Sequence, residues 1–242
     1  MKIATWNIGE DETNKDQKLD YSSYEYIIDI LKKKKIDILC MQEAITKSDY
    51  LPAIADYIKE NSELKYNIQY ELSDSYTNIG CKMGVAICSK YEIKDSELIK
   101  LDNPNLVYSL NSNKTYYSDN KGFIMATINN YKIITGHCLP FYIFKKTPLD
   151  FIEIYEKADK KFKSEYDLNS NFILCGDFNY DKVDNIFPKI MKNCKDLIDV
   201  PTRKDKQLDH FIVSDKIIIN SKEILENNFD HKLCIVEISD NK

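Results

Sequence analysis

Five short polar clusters stand at the C-terminal ends of apolar runs, where a core has no use for them. They are Asn7 in Thr5-Trp6-Asn7, Glu43 in Met41-Gln42-Glu43, His137 in Thr135-Gly136-His137, Asp177 with Asn179 in Gly176-Asp177-Phe178-Asn179, and the pair Asp230-His231. A strand ending in a carboxylate, an amide or an imidazole delivers that group to a sheet edge, where ligands collect. Such groups supply what a metal-assisted attack on phosphorus requires: oxygen ligands for a hard cation, a base, and donors for the phosphoryl oxygens.

Taken singly, each cluster has two readings. Gly176 permits a sharp turn after a strand, so that Asp177 and Asn179 project to the same side. The same residue types also form an Asx turn that caps a helix. Asp230 beside His231 suits a surface loop, or a catalytic imidazole, for which Asp209 in Leu208-Asp209-His210 is a second candidate partner to fix the tautomer and raise basicity. Glu43 suits magnesium, and equally the first turn of a helix. His137 and Asn7 also fit as buried hydrogen-bonding residues. Arg203 is the only arginine among 34 basic residues. Its planar fork makes it a candidate phosphate ligand at the rim of a site, or a plain loop residue.

The elements that must position these groups alternate irregularly. Strand patterns cover residues 2–8, 36–41, 66–72, 85–89, 123–128, 132–136, 172–175, 210–213 and 233–238. Helical spacing links Tyr24, Ile27, Ile28 and Leu31, then residues 50–60, then Phe151, Tyr155, Ala158 and Phe162, with a shorter helix over 182–192. Asn129-Asn130 marks a hairpin, and residues 102–120 read as a long polar loop. Strands without strict βαβ order, interrupted by hairpins, predict two mixed sheets packed face to face with helices outside.

Composition narrows the class. A chain of 242 residues, 43% hydrophobic and 30% charged, can bury a large core under a well-solvated surface. No apolar run approaches the roughly 20 residues of a membrane span, so no integral membrane segment is expected. The N-terminus enters directly into a strand pattern without a signal-like stretch, which makes the cytoplasm the expected location. The seven cysteines form no CxxC pair and read as buried hydrophobes. A net charge of −5 argues against avid non-specific binding to long duplex, although a bound metal and a local lysine patch reverse the field at a site.

The order and rough spacing of Thr5-Trp6-Asn7, Gln42-Glu43, Gly136-His137, Gly176-Asp177-Phe178-Asn179, Leu208-Asp209 and Asp230-His231 resemble those of the endonuclease/exonuclease/phosphatase superfamily, the group of deoxyribonuclease I. The resemblance runs from Thr5 to Ile238. It implies an α/β (α+β) four-layer sandwich and one catalytic domain over residues 1–242. It also implies a phosphoester hydrolase dependent on magnesium, or on manganese in its place. Residue by residue, it assigns the metal to Glu43, with Asn7 beside it and Asp230 near. Asp177 resembles the residue that orients or deprotonates the attacking water, and Asn7 and Asn179 the donors to phosphate oxygens. His231, held by Asp209, resembles the imidazole that contacts the scissile phosphate. His137 is similar to the histidine of the deoxyribonuclease I and sphingomyelinase branches.

Two departures stand out. Cys81-Lys82-Met83-Gly84 lacks the acid that usually partners the branch histidine, and His210 follows Leu208-Asp209 where an aromatic such as tyrosine is usual. The expected activity is that of a nuclease, acting as a monomer on DNA or RNA. The alternative is a phosphatase or phosphodiesterase for a small lipid, nucleotide or inositol phosphoester, or an enzyme processing DNA ends. A catalytically dead binding module is disfavoured by the complete residue set. Specificity is expected from the loops at residues 10–20, 73–83, 102–120 and 141–148. The last carries Phe141-Tyr142-Ile143-Phe144-Lys145-Lys146, a mixture suited to stacking a base beside a phosphate, to a lipid surface, or to a plain apolar lead into a helix.

Overall fold

A computed structural model describes residues 1–111 and 114–239. One six-stranded sheet has the order β13 (Ile219–Leu225), β14 (Leu233–Ile238), β1 (Lys2–Asn7), β2 (Ile38–Lys47), β4 (Lys82–Ser89) and β3 (Tyr66–Asp74). The other runs β11 (Cys194–Asp196), β12 (Asp209–Ser214), β10 (Phe172–Asp177), β9 (Tyr131–His137), β8 (Gly122–Ile128) and β5 (Lys94–Lys100). Both sheets are mixed: β1 pairs in parallel with β2, and β9 with β10, within otherwise antiparallel ladders.

The central strands read as nearly continuous apolar runs because both their faces are covered. In β2, Ile38 and Cys40 enter the core between the sheets with Val85, Ile124, Ile173 and Phe211, while Leu39 and Met41 face the outer helices. Those helices are α1 (Tyr21–Lys34) and α2 (Ile54–Asn61) on the first sheet and α3 (Ile152–Leu168) on the second. This is the predicted four-layer sandwich. Asp20 caps α1 by accepting from the backbone of Ser22 and Ser23, and Lys35 ends it at φ 55°. Asn129 and Asn130, both at positive φ, make the tight β8–β9 turn.

Two segments differ from expectation. The helix over 182–192 shrinks to α4 (Val183–Ile186), because Pro188 forbids helical backbone at Phe187, which sits at φ −127°, ψ 51°. The segment 102–120 carries a hairpin of β6 (Val107–Asn111) and β7 (Lys114–Tyr117) that pairs only with itself; residues 112 and 113 lie outside the described residues. All seven cysteines are buried and free. Among the described residues no helix is long and apolar enough to cross a membrane.

The topology gathers one edge. Asn7, His137 and Asp177 end β1, β9 and β10, while Asp209 begins the antiparallel β12 and His231 precedes the antiparallel β14. Asp177 stands in register with His137 on one side and Asp209 on the other.

Candidate active site

Three backbone devices aim the side chains. Glu43 does not end its strand; it is the extra residue of a bulge between Gln42 and Ala44 of β2, at φ 54°. The bulge turns its carboxylate toward the strand ends. Gly9 makes room for it, since a Cβ there would come within 1.9 Å of Glu43 Oε2. Gly176, at φ 138°, lets β10 approach β9 closely, because a Cβ would meet the Gly136 carbonyl oxygen at 2.1 Å. Beneath the site a buried polar layer joins the sheets: Gln42 Nε2 donates to Thr135 Oγ1 at 2.9 Å and to Thr5 Oγ1 at 3.2 Å.

Asp177 is the centre. Its Oδ1 accepts from the Asn179 amide nitrogen at 2.9 Å, and its Oδ2 accepts from Asn7 Nδ2 at 3.0 Å. Asn7 Nδ2 also reaches Glu43 Oε1 at 3.4 Å, linking the two carboxylates. Burial, reinforced by Asp209 and opposed by His231, pushes the Asp177 carboxyl up to about 6. His231 Nδ1 lies 2.7 Å from Asp209 Oδ2, and its Nε2 lies 3.7 Å from Asp177 Oδ2. Burial disfavours its charge, yet Asp209 and Asp177 outweigh that and raise its pKa to about 10. Thr202 Oγ1 anchors the other partner by accepting from the backbone of Leu208 and Asp209.

His137 Nε2 lies 3.4 Å from Asp177 Oδ2, 3.7 Å from Glu43 Oε1 and 3.0 Å from Asn179 Nδ2. Its Nδ1 meets no acid; the ammonium of the buried Lys121 stands there at 3.3 Å. Burial and Lys121 both hold this imidazole well below its ordinary pKa.

Asn7, Glu43, His137, Asp177, Asn179, Asp209 and His231 are thus brought together. Arg203 and Asp230 line the same pocket and are bound to each other, Nε to Oδ2 at 2.7 Å, and that Asp230 oxygen lies 4.0 Å from His231 Nε2. Arg203 also donates to the Tyr142 hydroxyl at 3.1 Å and lies 3.7 Å from Glu10. The guanidinium expected to hold phosphate is therefore engaged by acids, and the Asp230 oxygen facing the site serves Arg203. His210 packs outside the pocket: it stacks on Phe178, and its two nitrogens meet Asp196 Oδ2 at 2.6 Å and the Tyr180 carbonyl at 2.8 Å.

Sequence reasoning missed Lys121, Gly9 and Tyr76, whose hydroxyl donates to Glu43 Oε2. Lys121 lies just outside a strand and looks like any other lysine. Only the register of Gly122 opposite His137 reveals it.

The donors fit a divalent cation. Asp177 and Asp209 lie with His231 in a group spanning 4.8 Å, and Asp209 Oδ1 is buried without a hydrogen-bond partner; the charged His231 ring has no lone pair to offer, so the carboxylate oxygens would hold the ion. Glu43 and Asn7 add oxygens on the adjoining side, and a set so rich in carboxylates suits a hard metal. All of these groups except Asp209, which sits behind His231, line a pocket of about 550 Å³ walled by Tyr76, Tyr116, Tyr142 and Phe144.

A profile of the Endonuclease/Exonuclease/phosphatase family matches residues 4–224, and the chain belongs to that family. It is a metal-dependent phosphoester hydrolase. Similar solved structures include an endonuclease/exonuclease/phosphatase from Bacteroides vulgatus, 16% identical over 98% of both chains with a TM-score of 0.66. A 3′ phosphatase from Neisseria, bound to a product DNA hairpin, is 17% identical over 99% of both chains with a TM-score of 0.64. A mannosyl-6-phosphatase from Bacteroides thetaiotaomicron is 14% identical over 99% of both chains with a TM-score of 0.65. At such identities the likeness speaks for the fold. No curated protein matches the sequence.

Proposed function

We propose that the whole chain is one catalytic domain that hydrolyses a phosphoester by in-line attack of water. One observation carries this reading: six side chains from both sheets, Asn7, Glu43, His137, Asp177, Asn179 and His231, converge on a single pocket around Asp177, with Asp209 bracing His231 from behind. Asp177 orients the water and takes its proton, a role suited to a carboxyl titrating near 6. His231, charged and braced by Asp209, donates to a non-bridging oxygen. Asn7 and Asn179 offer amide donors, and neutral His137 faces the phosphate from the opposite side. A magnesium ion held by Glu43 and Asn7, or by Asp177 and Asp209, would supply charge neutralisation at phosphorus.

Within that chemistry one reading is a nuclease acting as a cytoplasmic monomer. It is supported by exposed Tyr76 and Tyr142 at the pocket, on which a base can stack. A small phosphoester is favoured by the net charge of −5 and by Glu10, Asp119 and Asp230 in the pocket lining, which oppose a long polyanion. The test is hydrolysis of p-nitrophenyl phosphate, its bis-ester, oligonucleotides and sugar phosphates, with and without EDTA. Chelator-sensitive turnover lost in Asp177→Asn is expected. Turnover untouched by that substitution would overturn the assignment.

A further inference from the structure

Lys121 has so far served only to keep His137 neutral. It precedes β8, is only 4% exposed, and lines the pocket floor. Among the described residues its ammonium makes no ion pair, and its one hydrogen-bonding contact is His137 Nδ1. Arg203, in the same pocket, is held by Asp230 and Glu10. Asp119, two residues away and also in the lining, makes no ion pair with Lys121.

We propose that Lys121 is a direct ligand of the substrate phosphate and that it makes this site select phosphomonoesters over phosphodiesters. The inference rests on the hydrolase reading above. A buried ammonium whose neighbouring acid, Asp119, acts on it only from beyond ion-pair distance is costly to keep, and an incoming anion lowers that cost.

The hydrogen-bond inventory points the same way. A neutral imidazole has one lone pair and one N–H, whereas an ammonium and a side-chain amide nitrogen only donate. Lys121 Nζ faces Nδ1 at 3.3 Å and Asn179 Nδ2 faces Nε2 at 3.0 Å, so His137 accepts from only one of them. Asn179 Nδ2 has a second acceptor in the Cys138 carbonyl at 3.1 Å; Lys121 has none. Whichever tautomer forms, a donor remains over on the pocket floor, matched to an oxygen anion.

The choice between esters follows from charge and shape. A terminal phosphate brings a second negative charge and a third non-bridging oxygen, which a diester lacks. It also leads only one substituent out past the walls. One wall is the β6–β7 hairpin, docked by Lys145 Nζ 4.9 Å over the Tyr108 ring and closed at its base by Ser118 Oγ donating to Asn103 Oδ1 at 2.6 Å. Tyr142 and Phe144 line the pocket alongside it.

The experiment compares kcat/KM for p-nitrophenyl phosphate and bis(p-nitrophenyl) phosphate, with magnesium, in the native protein, Lys121→Met and Lys121→Arg. The native enzyme is expected to prefer the monoester at least about tenfold. Lys121→Met should lose on the order of a hundredfold on the monoester and only about threefold on the diester, with Lys121→Arg restoring the preference. Inorganic phosphate should bind the native protein and bind Lys121→Met about tenfold more weakly, a readout independent of turnover. Native preference for the diester, or equal loss on both esters, would overturn the inference while leaving the hydrolase reading standing. Silence of the native protein on every ester would overturn both. Should Lys121→Met fail to fold, Lys121→Gln carries the same comparison of the two esters and of phosphate binding. End-phosphorylated oligonucleotide and hexose phosphate, run in parallel, distinguish the carriers of the monoester.

Discussion

His231 and His137 are both buried, the first just ahead of β14 in one sheet and the second ending β9 in the other, and aim Nε2 at the same oxygen of Asp177, from 3.7 and 3.4 Å. Burial disfavours the charged form of each. At His231 that penalty is outweighed by Asp209 on Nδ1 and by Asp177, and the ring is an imidazolium to about pH 10. At His137 the neighbour on Nδ1 is an ammonium, which adds to the penalty and keeps the ring neutral. One residue type thus becomes two tools, a charged donor and a neutral ring. The choice is made by the group on the far nitrogen.

Removing what the two rings share should have the largest effect. Asp177→Asn is expected to lower turnover by about 10⁴-fold, and chelation to abolish it until magnesium is restored; initial rates on an aryl phosphate check both. On the charged side, Asp209→Asn leaves His231 without its brace and should cost about 10²- to 10³-fold in the same assay, with the protein still folded by circular dichroism. On the neutral side, His137→Ala should cost about tenfold, less than the lower bound for a full acid or base. Equal losses at the two histidines would erase the distinction.

The comparison sharpens with pH. The His231 pKa is raised on folding, so its stabilisation is fully present below its unfolded value, about 6.5. It is lost as pH rises through about 10. Thermal unfolding of metal-free protein should show that decline, and Asp209→Asn should flatten it. His137 should show no imidazole titration by NMR near neutral pH. The smallest effect on activity belongs to His210, whose pKa is opposed by burial but raised overall by Asp196. His210→Phe should leave turnover nearly intact and cost about 1–3 kcal/mol in urea unfolding, by taking one of several partners from Asp196 and leaving the Tyr180 carbonyl without its imidazole donor.

The order of the strand ends was readable in the residues because each pairs an apolar run with one polar group that a core rejects. β14 matches its predicted limits, and the helical face of Tyr24, Ile27, Ile28 and Leu31 is buried as the spacing requires. The edge strands β5 and β13 escaped notice for a physical reason. Lys94-Asp95-Ser96-Glu97 and Asn220-Ser221-Lys222-Glu223 carry the exposed charge and polarity that keep an open edge from pairing with another molecule, and so hide the strand signal. The 102–120 hairpin failed similarly, being rich in serine, asparagine and tyrosine with little apolar alternation. The pairing of Asp230 with Arg203 is set by loop geometry over a separation of 27 residues, on which residue spacing is silent.

The β6–β7 hairpin takes no ladder hydrogen bonds from either main sheet among the described residues, yet Thr115, Tyr116 and Tyr117 stand over the reacting groups. Substitutions there alter what the catalytic residues meet while leaving the sandwich its full set of strand pairings. Selection, or an engineer, can therefore exchange this one excursion to redirect the enzyme without first re-solving how the chain folds.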